Sequence, residues 1–137
     1  IDFLRHTARP LLFSTSLPPA SAAASIAALQ TIQEEPELIQ RLWKNTYMMR
    51  DGLSCMGYNI GVSVSPLIPI IIGDEYTVYK LVVALEEAGV IIDGVGPPAV
   101  KQLECRLRLK MMATHTESAV SFALDQLRKI GKRFKVI

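Results

Sequence analysis

Between residues 105 and 111 three cations alternate with apolar residues: Arg106, Arg108 and Lys110 are interleaved with Cys105, Leu107, Leu109 and Met111. In an extended segment successive side chains point to opposite faces, so one face is apolar and the other carries three positive charges. A guanidinium stays charged and presents a planar fork of donors, which suits a carboxylate held in a fixed plane. The pattern therefore points to an anionic ligand. It also describes a half-exposed strand whose cations are solvated or paired with surface acids. A second candidate lies near the start, where Ser14, Thr15 and Ser16 precede Leu17-Pro18-Pro19. Hydroxyls before a proline-opened helix cap its free amides. The same open amides, helix dipole and hydroxyls favour a phosphate. At both places the residues alone leave the two readings standing.

Elements must position these groups. Residues 1–8 read as the end of a helix, with Pro10 opposing its continuation and residues 11–13 forming a short apolar segment. Residues 20–33 are alanine-rich, which predicts a helix whose small side chains let it pack closely, largely buried against a larger body. Pro36 opens a second helix to about Leu53, with Ile39, Leu42, Thr46, Met49 and Leu53 on one stripe. The pattern then changes. Residues 66–73 predict an apolar strand with its prolines at or near an edge. Asp74 is placed to cap a helix carrying Val78, Leu81, Leu85 and Ala88, which Gly89 stops. Residues 90–92 predict a short strand, and 94–99 a loop leading to the cationic strand. Thr114 and Glu117 have the spacing of a capping box. A last helix then places Val120, Ala123, Leu124 and Leu127 on one face, with Gly131 as its stop. The expected fold class is α+β: a small mixed or antiparallel sheet covered by helices. Residues 1–60 are expected to form a helical segment and 61–137 an α/β domain.

At 137 residues the chain has length for one real core, and a composition half hydrophobic and one-fifth charged is globular. A formal charge of +2, with no basic run interleaved with aromatics, argues against a nucleic-acid partner. Cys55 and Cys105 lack metal-ligand spacing and form no disulfide framework, so reduced thiols and a cytoplasmic location are expected, with no metal. The longest apolar run, 66–73, is far short of the roughly 20 residues a membrane-spanning helix needs. No signal sequence is read at the start. The chain opens at Ile1 in mid-phrase, so a fragment of something longer is expected.

Five phrases, in order and spacing, resemble the C-terminal part of the α-oxoamine synthases: ARPLLFSTSLPPA from Ala8, PLIPIIIGD from Pro66, EAGVII from Glu87, PPAV from Pro97 and RLRLKMMATHT from Arg106. Members of that family include 8-amino-7-oxononanoate synthase and serine palmitoyltransferase. The MATHT wording is most like the serine palmitoyltransferases. They are pyridoxal 5'-phosphate enzymes of aminotransferase fold type I that join an amino acid to an acyl-CoA thioester with loss of carbon dioxide. The resemblance implies the C-terminal small domain of such an enzyme with its preceding long helices, and a homodimer in the parent. It assigns the amino-acid carboxylate to Arg108, the second arginine of the RLR phrase, and leaves Arg106 structural. It assigns Thr15, with Ser14 and Ser16 as helpers, to the phosphate of the cofactor bound by the partner subunit. His115 is read as a structural side chain. Lys110 departs from the small or hydroxyl residue the family often shows there.

The family's Schiff-base lysine belongs to a phrase that none of Lys44, Lys80, Lys101, Lys110, Lys129, Lys132 or Lys135 occupies. Covalent chemistry of this kind needs that amine, so no catalytic residue is expected in these 137 residues, which alone should be silent. The rival expectation is a non-catalytic binding or dimerisation module that keeps the small-domain fold.

Overall fold

The cationic strand is the centre of a sheet, and everything around it is fixed by alternation and by caps. A computed structural model of the chain describes residues 1–14 and 17–137, with only the backbone of Leu12. Its elements are α1 (Asp2–Thr7), α2 (Arg9–Leu12), α3 (Pro19–Glu34), α4 (Pro36–Cys55), β1 (Leu67–Gly73), α5 (Glu75–Glu87), β2 (Asp93–Val95), β3 (Cys105–Lys110) and α6 (Glu117–Arg133). They form two compact units, Ile1–Pro36 and Glu37–Ile137.

In the first unit α1 stops at Thr7 as expected, and beyond it lies Pro10. It sits in the first turn of α2, where its missing N–H would have had no intrahelical partner. Helix α3 starts as expected at a proline pair, but none of its residues is buried, and Ile26, Leu29 and Ile32 are exposed. The burial expected of it is not found among the described residues, whose first unit otherwise holds only the short helices α1 and α2.

In the second unit the strand order is β1-β3-β2 and both pairings are antiparallel. Strand β3 alternates as its sequence demands: Cys105, Leu107 and Leu109 are buried while Arg108 and Lys110 are exposed. Ile68 and Ile70 of β1 share the buried face. Helix α5 covers that face, with Val78, Leu81 and Leu85 in the core and Asp74 accepting from the Thr77 amide at 2.7 Å. Helices α4 and α6 complete the core through Met49, Leu53, Val120 and Leu127. Of the prolines of the apolar run, Pro69 lies in the edge strand β1 and Pro66 just before it, where a missing donor is tolerated.

Four local expectations need correction. The strand expected at 90–92 lies instead at Asp93–Val95. The Val90 amide donates to the Leu85 carbonyl, closing α5, so it is spent before the ladder begins. Gly94 belongs to the strand and not to a loop: it pairs with Leu107, and a Cβ there would lie 3.0 Å from both Val78 and Val82 of α5. The last helix is capped by Thr116, whose hydroxyl accepts from the Ala119 amide at 3.2 Å, not by Thr114. Gly131 does not stop that helix, which runs on to Arg133. A Cβ on Gly131 would fall 2.1 Å from the Tyr58 hydroxyl, which donates to the Leu127 carbonyl one turn earlier at 2.8 Å. That glycine makes room for a buried tyrosine.

Candidate functional site

Because β3 is central, its charged face is flanked on both sides. Arg108 stands opposite Pro69 of β1 and opposite Asp93 of β2. Its side chain is 43% exposed, so the guanidinium is anchored by the sheet yet reachable from solvent. Nη2 of Arg108 donates to Asp93 Oδ2 at 3.1 Å. Lys110, one pleat further along the same face, brings Nζ to the same oxygen at 2.5 Å. Hydrogen bonds from Lys110 and then from Arg108 hold the Asp93 carboxyl below the usual carboxylate range. Arg106 is engaged elsewhere: its Nε donates to the Glu104 carbonyl at 2.7 Å and Nη2 reaches the Glu104 carboxylate at 3.2 Å.

Arg108, Asp93 and Lys110 line one cleft of about 460 Å³ together with Ile92, Met111 and Phe122. The segment after β3, which forms another part of its lining, is held by a side chain the sequence reading missed. Asn45, buried on α4, donates to the carbonyls of Met112 and His115 at 3.1 and 2.8 Å. A polar residue next to Thr46 within the apolar stripe of α4 was the available signal, since a buried amide must find partners. His115 lines the same cleft, and the Met112 amide donates to its Nδ1 at 3.3 Å, folding the turn that leads into α6. Lys44 of α4 pairs with Glu117 in the first turn of α6, and that pairing lowers the Glu117 pKa.

Asp93 was missed as well. It is an acid between an apolar run and a glycine, and only the strand register shows that it faces Arg108. Of the hydroxyls expected at a phosphate, Thr15 and Ser16 lie outside the described residues. Ser14 is exposed and donates to the Leu11 carbonyl at 3.0 Å. Just beyond, α3 begins at Pro19, and its N-cap residue Pro18 makes no side-chain cap. The amides of such a first turn fit an anion. Among the described residues no three His, Cys, Asp or Glu gather as a metal site, and no helix is long and apolar enough to cross a membrane.

Comparison with known proteins agrees with the resemblance read from the five phrases. The profile of the family described as aminotransferase class I and II matches residues 1–127. An 8-amino-7-oxononanoate synthase of Exiguobacterium sibiricum is 40% identical over 136 residues, covering 99% of this chain and 35% of that protein. A lysine-to-alanine variant of the serine palmitoyltransferase from S. paucimobilis, solved with a bound PLP-myriocin aldimine, is 26% identical with a TM-score of 0.91, covering 99% of this chain and 35% of that one. The serine palmitoyltransferase of Sphingomonas wittichii is 30% identical with a TM-score of 0.87 over the same shares. The chain thus spans about a third of the length of the curated relatives it matches. Its small antiparallel sheet with covering helices matches the C-terminal portion of fold type I enzymes such as the serine palmitoyltransferases. By the extent of the match, this chain belongs to the aminotransferase class I and II family.

Proposed function

We propose that this chain is the carboxylate-binding C-terminal part of a PLP-dependent acyltransferase that condenses an amino acid with an acyl-CoA and releases carbon dioxide. The observation that carries the reading is Arg108: central in the sheet, half-exposed in a cleft, with one guanidinium nitrogen on Asp93 and the rest of the fork available to a ligand. The 40% identity to an 8-amino-7-oxononanoate synthase supports that kind of acyl acceptor chemistry.

In this reading Arg108 binds the α-carboxylate of the amino acid and fixes the plane in which its α-carbon is presented. Charge-assisted bonds from a sheet-anchored guanidinium reduce the freedom the substrate must lose before reaction. Bound pyridoxal phosphate supplies the electron sink for chemistry at that carbon. Thr15, with Ser14 and Ser16, holds phosphate oxygens at the entrance to α3, reaching the cofactor of the partner subunit in a homodimer. The reacting lysine comes from outside these residues.

The test is made on the natural full-length polypeptide. Replacing Arg108 by Ala is expected to raise the amino-acid KM by about 10- to 100-fold, the loss of a charge-assisted hydrogen-bonded pair. Near-normal saturation would reject the assignment. Thr15→Val is expected to loosen cofactor retention in dialysis, and unchanged retention would remove that contact from the account. A natural product of only this length, colourless and inactive with cofactor added, would leave a binding module instead.

A further inference from the structure

The ladder puts a carboxylate where an incoming carboxylate has to bind. Asp93 is directly across from Arg108, and its Oδ2 already takes a hydrogen bond from Nη2 of that arginine. On its own this pair is neutral, and an anionic ligand approaching the guanidinium would meet a like charge a few ångströms away. Lys110 changes that balance. It reaches the same Oδ2 from the same face of β3, so two cations and one carboxylate leave one net positive charge at the cleft. Arg108 spends a single donor on Asp93, which pins one side of the guanidinium and leaves its other nitrogens for a bidentate partner.

We infer that Asp93 and Lys110 are positioning residues for carboxylate binding at Arg108: Asp93 fixes the guanidinium plane, and Lys110 cancels the charge of Asp93 so that Arg108 keeps its attraction for an anion. The inference rests on the assignment of the amino-acid carboxylate to Arg108. It gives the departure from the family phrase at Lys110 a partner, Asp93, and a purpose. Both groups are partly exposed, so the field is screened and the expected effects are modest.

The experiment uses the natural full-length polypeptide, freed of cofactor, with propionate as the carboxylate probe in an NMR titration. Lys110→Met is expected to weaken propionate about fivefold. The conservative Lys110→Arg is expected to keep wild-type affinity. The double variant Asp93→Asn with Lys110→Met, which restores the net charge, is expected to return to within about twofold of wild type. A merely structural lysine would not be rescued by removing a second charge. In the holoenzyme the same order of variants should appear in the KM for the amino-acid substrate. Unchanged affinity in Lys110→Met, or a double variant no better than the single one, overturns the inference while Arg108 retains its role. If Arg108→Ala binds propionate as wild type does, the fault lies in the assignment of Arg108, and the inference falls with it.

Discussion

At the scale of single residues, a glycine and a tyrosine show how tightly the second unit is specified. The Tyr58 hydroxyl lies over the turn from Leu127 to Gly131 and donates to the Leu127 carbonyl. Burial pushes its pKa up to about 12. Removing the hydroxyl in Tyr58→Phe loses one buried hydrogen bond and is expected to cost about 1 kcal/mol in urea unfolding. Gly131→Ala drives a methyl group into that hydroxyl and should cost about 2 kcal/mol or more. The two are coupled: in the Tyr58→Phe background the alanine should cost less, with some strain left because the ring carbon would still sit 2.9 Å from the new Cβ. Equal costs in both backgrounds would show that the hydroxyl is not what the glycine accommodates. Arg108 and Asp93 make the complementary case, in which chemistry is visible in residue type but its partner is not. The fork of an arginine is legible in sequence. The acid facing it is legible only once the register is known.

Among the elements, the clearest sequence signals were those with a local cause. The alternation of β3, the Asp74 cap of α5 and the proline-started α3 each follow from groups within a few residues of one another. Where several groups competed, the outcome depended on contacts between distant segments. Thr114 and Thr116 are both plausible caps, and Thr116 wins as Glu117 becomes the first helical residue, paired with Lys44 of α4. Thr116→Ala is therefore expected to destabilise the unit by about 1 kcal/mol, whereas Thr114→Ala should leave the unfolding midpoint nearly unchanged. Similarly, Val90 and Ile92 are apolar enough for a strand and are buried, but the closing bond of α5 and the close approach of Gly94 shift the ladder to Asp93–Val95. Helix α4 was expected with residues 1–60, yet its Met49 and Leu53 pack in the same core as the sheet. The stripe on α4 was readable; what it packs against was not.

At the scale of the molecule, charge and chain order set the behaviour. Asp93, Asp74 and Glu117 all have lowered pKa values, through Lys110 and Arg108, the Thr77 cap and Lys44 respectively. Each binds its proton less readily folded than unfolded, so stability rises with pH across the acid range. That contribution is complete above about pH 5 and is lost as pH falls through the folded-state values. Tyr58 acts at the other end with the opposite sign. Its stabilisation is whole below about pH 10, the usual tyrosine value, and is lost as pH rises towards its folded value of about 12. Unfolding midpoints measured from pH 2 to 12 should therefore trace a plateau with a shoulder at each end, and Tyr58→Phe should flatten the alkaline one. The order β1-β3-β2 has a consequence in time. Among the described strands β1 and β2 never touch each other, and each finds its neighbour only in β3, the last to be made. On a ribosome adding about 5 to 20 residues per second, Leu67 waits several seconds for Lys110 to be synthesised, and longer for it to emerge. Until then an apolar strand is an open edge. A nascent chain stalled before residue 105 is expected to bind chaperones, and that binding should fall once β3 and α6 have emerged.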